Sequence, residues 1–311
     1  MKEKRKYIFG PVLSRRLGRS LGIDPVPLKT CTYDCVYCQL GSTPGKTADI
    51  KRYSSPEEIA AELKEVLRHV QADYITLSGS GEPTLNSAAS ELISKIKKVA
   101  DIPVCVITNG SLLSNIEVRK RLLAADLVVP SLDAGDEEAF QRINRPHNSV
   151  SFRDMVEGIE KFSKEFKGKL WLEIMLAAGI NDSAEDLKKF LPLIERINPD
   201  RIQINTVVRP PACSGIKGVG SDKLRQAQKI FGHKAEIIAG AANNHKKMSV
   251  SPEEVLETIR RRPSTARDIS AYLGLNMNEA VKHITRLLEE NAVIAETVGD
   301  QVYYKPKRDK S

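Results

Sequence analysis

The chain has 311 residues, 41% of them hydrophobic, a net charge of +8 and five cysteines. It is long enough to bury a substantial core and a small second one, and it lacks internal repeats and low-complexity tracts. No run approaches the roughly 18 apolar residues of a membrane span, no lipidation or secretion signal is visible, and five cysteines are too few for a disulfide framework, so the expectation is a soluble, cytoplasmic protein in a reducing compartment.

The charge is uneven. Between Met1 and Tyr53 eleven Lys or Arg stand against four acids, so nearly all the net charge gathers at this end. The glycine-punctuated segment 9–24 carries Arg15, Arg16 and Arg19. A positive field there would steer in an acidic partner or a phosphate-bearing substrate, and a solvated basic surface without a partner is the alternative.

Next comes Cys31-Thr-Tyr-Asp-Cys35-Val-Tyr-Cys38, three cysteines within eight residues. One short loop then supplies three thiolates, which suits a [4Fe-4S] cubane with three irons held by protein and the fourth open to a ligand. A structural zinc site, the competing reading, wants four closed ligands, and no second cysteine or histidine pair completes it.

Beyond the cysteines, strand-like runs alternate with helix-period segments. The runs at 73–80, 103–110, 127–134, 170–179 and 201–208 end in small or polar residues: Gly79-Ser80-Gly81-Glu82, Thr108-Asn109-Gly110, Ser131 with Asp133, Asn181-Asp182 and Asn205. Helical spacing covers 56–70, 87–99, 151–166 and 183–197, several opened by Ser caps. Such alternation means βαβ units and a parallel sheet. About six units fit before residue 240, which predicts an α/β fold, a partial (β/α)6 barrel whose polar strand ends share one rim, where barrel enzymes place their sites. Cys105 reads as a small buried hydrophobe. Cys213 lies in a loop on the rim, either a hydrogen-atom source or an incidental cysteine.

From about residue 241 the texture changes. Residues 241–248 read as a linker, and 249–311 as a separate module of three helices (252–262, 265–273, 276–291) and a hairpin around Gly299-Asp300. The module resembles a winged helix-turn-helix. Its ten cations and ten acids cancel, whereas modules that read DNA concentrate cations on the recognition helix and wing. DNA binding is therefore disfavoured and a substrate- or partner-docking role preferred.

The cysteine spacing, followed at one βα unit's distance by Gly79-Ser80-Gly81-Glu82-Pro83, resembles the radical S-adenosylmethionine (SAM) superfamily. The resemblance implies an oxidoreductase-type enzyme. Cys31, Cys35 and Cys38 would be metal ligands to a [4Fe-4S] cluster, and SAM would chelate the open iron and be cleaved reductively to a 5′-deoxyadenosyl radical that abstracts hydrogen from a substrate. It also implies that Ser80, Gly81 and Glu82 face the methionine moiety, that Tyr37 packs against the adenine, and that Asn109, Ser131 and Asp133 reach the ribose or substrate. An acidic electron donor, flavodoxin or ferredoxin, would be the partner. Leu132-Asp133-Ala134 and Phe140-Gln-Arg-Ile-Asn-Arg-Pro146 narrow the likeness to the branch containing the wybutosine-pathway tRNA imidazoguanine enzymes. Those carry a second cluster with its own cysteine triplet, and only Cys105 and Cys213 are spare here. The SAM chemistry is therefore the expectation and the wybutosine reaction is not. The substrate class stays open between RNA and protein, and no residue is singled out as the final hydrogen donor. An iron–sulfur redox-sensing DNA-binding regulator is the alternative.

Overall fold

The computed structural model describes residues 5–14, 16–238, 250–273, 275 and 277–307. Arg15 and the expected linker 241–248 lie outside them. The main sheet begins with an antiparallel hairpin, β1 (Ile8–Ser14) and β2 (Gly18–Ile23). Then β3 (Tyr74–Leu77), β4 (Val104–Thr108), β5 (Leu127–Pro130), β6 (Lys169–Leu176), β7 (Arg201–Thr206) and β8 (Ala235–Ile237) follow β2 in strict chain order, each parallel to the last. Between the strands run α1 (Pro56–Leu67), α2 (Ala89–Val99), α3 (Ile116–Leu122), α4 (Glu137–Ile143), α5 (Phe152–Glu165), α6 (Ala184–Lys189), α7 (Leu191–Ile197) and α8 (Ser221–Phe231). This is an α/β fold with the wall of a partial barrel, in which the connections repeat and the carboxyl ends of β2 to β8 point the same way.

The helix starts follow local chemistry. Ser55, Ser151 and Ser183 accept N–H groups of the first turns of α1, α5 and α6, and Ser183 closes a capping box with Asp186, each satisfying donors that the helix leaves unpaired. Alternation along the strands separates two faces. Val104, Val106, Val128, Leu170 and Leu172 join the large core beneath the helices. Cys105, Leu127, Val129 and Trp171 turn to the inner face, where they pack with Leu17 from the β1–β2 turn.

That turn is the main departure from expectation. The hairpin closes the amino-terminal end of the barrel, opposite the rim, and its arginines are engaged there. Arg16 reaches Glu173 at 2.7 Å, with 14% and 11% of the two side chains exposed, and Gln203 at 3.2 Å. Arg19 pairs with Asp73, just before β3. Arg16, buried and offset by a carboxylate, adds little field at a distance, and the more exposed Arg19 is paired at the same far end, so neither lies in a steering patch at the rim.

The C-terminal stretch folds as α9 (Pro252–Arg261), α10 (Ala266–Leu273) and α11 (Met277–Glu289), with β9 (Val293–Val298) paired antiparallel to β10 (Gln301–Pro306). Val255, Ile259, Ile269, Ala280, Ile284 and Leu287 give it a core of its own. It packs on the rim end of the sheet. Arg261 pairs with Asp24, just past β2, and lies 4.3 Å over the Phe9 ring. Arg209 approaches Asp268 at 3.9 Å, and the Tyr303 hydroxyl donates to the Val208 carbonyl. Among the described residues no helix is long and apolar enough to cross a membrane.

Candidate active site

The cysteine loop leaves β2 and lies over the carboxyl ends of the strands, held by backbone bonds on three sides. Asp34 and Val36 donate to the carbonyls of Asn144 and Ile143 at 3.1 and 2.9 Å, Cys213 donates to Val36 at 3.1 Å, and Thr47 donates to Cys31 at 3.0 Å. The loop is thus anchored to the end of α4 and to the segment after β7, not to its own neighbours alone.

Each of the three sulfurs faces an N–H donor. Cys31 Sγ accepts from the Tyr33 backbone at 3.5 Å and from Asn109 Nδ2 at 3.6 Å. Cys35 Sγ accepts from Asn144 Nδ2 at 3.4 Å, and Cys38 Sγ from Lys29 Nζ at 3.5 Å. Donors around every sulfur suit anionic thiolates bound to metal better than neutral thiols, which accept weakly. Burial pushes the Cys31 thiol up to about 12 and Cys35 well above the usual thiol range, with Glu82 adding to the rise at Cys31 and Asp133 at Cys35. Bare, both sulfurs hold their protons, and a bound cation is what would draw them off. Among the described residues no three His, Cys, Asp or Glu side chains converge on the position of a single ion; a cubane asks instead that each thiolate sit on its own iron.

The turn after β3 is shaped by glycine. Gly79 has φ of +112°, and a Cβ on it would fall 1.9 Å from Asp24 Oδ1; a Cβ on Gly81 would fall 2.1 Å from the Thr30 carbonyl. No larger residue fits either place. The turn is tied to the cysteine loop through Ser80, whose N–H donates to Asp24 at 2.7 Å and whose carbonyl accepts from Lys29 N at 2.7 Å, and through Glu82 N to Thr30 at 2.9 Å. The Glu82 carboxylate is fully buried. It accepts from Thr84 N and Oγ1 at 3.0 and 2.6 Å, from Thr108 Oγ1 at 2.6 Å and from Asn109 N at 2.7 Å. Burial raises its pKa, while the Thr108 and Thr84 hydroxyls pull the other way. Glu82 therefore fixes Asn109, and Asn109 in turn donates to Cys31 Sγ and to Thr32 Oγ1 at 2.7 Å.

Asp133 is the second organiser. Its Oδ2 accepts from the Tyr37 hydroxyl at 2.5 Å and from Asn144 Nδ2 at 2.9 Å, and its Oδ1 accepts from Met175 N at 3.0 Å. Burial lifts its pKa to about 6 against these stabilising bonds. Asn181 braces the same corner, donating to the carbonyls of Asp133 and Met175 at 2.7 and 2.8 Å. Cys31, Asn109 and Glu82 thus form one polar cluster and Cys35, Tyr37 and Asp133 a second through Asn144, and Lys29 ties Cys38 to the turn of Ser80 and Gly81. Ser131 joins through its backbone N–H, which donates to Thr108 at 3.0 Å. Asn205 turns instead to Glu173, at 3.1 Å. Cys213 Sγ accepts from Arg145 at 3.2 Å beside the loop. Sequence reasoning did not single out Lys29, Asn144 or Asp24. Asn144 lay in a quoted motif, but only the fold shows that it touches Cys35.

Comparison with known proteins agrees with this geometry. Residues 26–191 match the model of the Radical SAM superfamily. The chain is 40% identical to a GTPase Obg of Brachyspira hyodysenteriae over 97% of its own length, spanning 45% of that protein, and 33% identical to a UPF0026 protein of Methanocaldococcus jannaschii over 95% of this chain and 94% of that one. The GTPase name finds no support in the residues here. Gly41-Ser-Thr-Pro-Gly45-Lys46-Thr47 is one residue short of the phosphate-loop spacing, and Lys46 donates to the carbonyls of Arg145 and Pro146 at 3.0 and 2.9 Å. Among solved structures, TYW1 with a lysine-pyruvate adduct bound superposes with a TM-score of 0.54 at 23% identity, covering 68% of this chain and 72% of that one, a likeness of fold. The chain belongs to the radical SAM superfamily, whose enzymes work with a [4Fe-4S] cluster and SAM.

Proposed function

We propose that Cys31, Cys35 and Cys38 hold the [4Fe-4S] cluster, and that the chain uses SAM to abstract hydrogen from a macromolecular substrate, RNA or protein. The observation that carries this reading is the set of N–H donors from Tyr33, Asn109, Asn144 and Lys29 aimed at the three sulfurs. When bound, the cluster and SAM together supply the 5′-deoxyadenosyl radical.

The chain's own residues bind and orient. The turn of Ser80 and Gly81 offers backbone carbonyls and a close approach to the methionine ammonium of SAM, since glycine keeps side chains away. Glu82 holds that turn against Asn109. Tyr37, fixed by Asp133, offers a flat face to the adenine, and Asn109, Ser131 and Asp133 lie at strand ends suited to the ribose or substrate. We divide the chain into a barrel (1–240), a linker (241–248) and a winged-helix-like module (249–311) that docks the substrate or a partner. On that module the outer side of α11 exposes Met277 and Val281, apolar residues that suit a protein or base surface better than a phosphate backbone. The electron donor is an acidic flavodoxin or ferredoxin.

Anaerobic reconstitution of the full chain tests the reading. It should take up about four irons per chain, and SAM should perturb the EPR signal of the reduced cluster. A protein that binds zinc alone and shows no response to SAM ends it.

A further inference from the structure

We propose that Lys29 is a positioning residue that raises the reduction potential of the cluster by holding a positive charge on Cys38 while its backbone pins the SAM turn. The inference rests on the three cysteines holding the cluster.

Lys29 has φ of +64°, the left-handed region that non-glycine residues seldom adopt. Such a conformation persists where surrounding contacts over-determine it, and three do so here. The backbone N–H donates to the Ser80 carbonyl at 2.7 Å, and Nζ reaches Cys38 Sγ at 3.5 Å and the Gly41 carbonyl. The left-handed turn is what allows one residue to face the SAM turn with its main chain and the third cysteine with its side chain.

The electrostatic setting gives the ammonium its role. The other donors to the sulfurs, Tyr33 N, Asn109 and Asn144, are neutral amides. Among the described residues, Lys29 brings the one full charge that hydrogen-bonds to the three cysteines. Around the loop stand two fully buried carboxylates, Glu82 and Asp133, whose negative charges are felt at Cys31 and Cys35. An electron added to a centre already ringed by thiolates and carboxylates is repelled. Charge and hydrogen bonds at the cluster sulfurs set the potential of such centres, and a fixed cation at hydrogen-bond range favours the reduced form.

The test is an EPR-monitored redox titration of the reconstituted full chain without SAM, on the wild type, Lys29→Gln and Lys29→Arg. Gln keeps a donor for the Gly41 carbonyl and removes the charge; Arg keeps the charge. With about four irons bound, Lys29→Gln should show a reduced-to-oxidised ratio at fixed poise at least tenfold lower, about 59 mV for a one-electron couple, and Lys29→Arg should stay near wild type. SAM affinity should be little changed, because the bond to Ser80 is made by the main chain. An unshifted potential in Lys29→Gln overturns the proposal. So does failure of both Lys29→Gln and Lys29→Met to assemble a cluster that Lys29→Arg assembles, since the role is then structural. A wild-type chain that takes up no iron strikes the reading of the cysteines instead.

Discussion

Replacing Arg261 by Met should loosen the C-terminal unit from the barrel. The guanidinium pairs with Asp24, and only 19% and 13% of the two side chains are exposed. Burial already raises the Asp24 pKa, with Arg261 opposing that rise. Removing one partner of a buried pair leaves the other uncompensated and costs about 3–5 kcal/mol. The lower end applies, because Asp24 still accepts from Ser80 N at 2.7 Å; losing the cation above Phe9, at 4.3 Å, adds about 1 kcal/mol. Asp24→Asn should cost less, about 1–2 kcal/mol, since Asn retains an acceptor for Ser80 and Arg261 can swing into water. The double variant should then cost well under the sum of the two, a coupling of about 2 kcal/mol. Hydrogen exchange of the full chain, read by mass spectrometry on peptides from α9 and α11, measures the local opening directly. The two losses in Arg261→Met, together about 4 kcal/mol, correspond to roughly a thousandfold faster exchange, with barrel peptides far less affected. Exchange near the wild-type rate, or strictly additive effects in the double variant, refutes the argument.

The pH dependence of the apo protein follows from Asp133, whose folded pKa of about 6 stands above the ordinary 3.8. The folded state then holds this proton more tightly than the unfolded one, so stability falls as pH rises between about 4 and 6 and stays lower above, by up to about 3 kcal/mol. Urea midpoints from pH 4 to 8 should show this slope in the wild type and a flatter curve in Asp133→Asn. Cys35→Ala should abolish 5′-deoxyadenosine formation and lower bound iron, both read on the reconstituted protein. Glu82→Ala should keep the cluster and weaken SAM binding by about tenfold, near 1.4 kcal/mol, because the turn of Ser80 and Gly81 loses its tie to Thr108 and Asn109, as measured by titration of the EPR change. Loss of iron with SAM affinity retained would show that its role had been misassigned.

The fold was legible wherever a segment's pattern matched its burial. Strands buried on both faces, such as 104–108 and 127–130, read as short apolar runs, and Ser caps marked the helices between them. The β1–β2 hairpin was not legible, because Gly, Pro, Ser and Arg interrupt any alternation in 9–24, and Arg16 gains its meaning only from Glu173, far away in the chain. The three residues of β8 fall below what a pattern can reveal. At the site, sequence spacing brought out the cysteines and the strand-end polar residues as candidates. It did not single out Lys29 or Asn144, whose contacts with Cys38 and Cys35 depend on how the loop lies over the sheet. Arg16 and Arg19 misled for the same reason, since composition does not show which end of a barrel an arginine faces.

The plug formed by the β1–β2 turn also bears on how the chain is made. Arg16 finds Glu173 and Gln203, and Leu17 finds Trp171, so residues made early are held by residues made more than a hundred and fifty positions later. Contacts of such long range are costly to close. On a ribosome adding about 5–20 residues per second, the hairpin has to wait many seconds for β6 and β7 to emerge. During that interval Arg16 and Leu17 lack the partners that bury them, and the period before Gln203 appears is when a chaperone would be of most use.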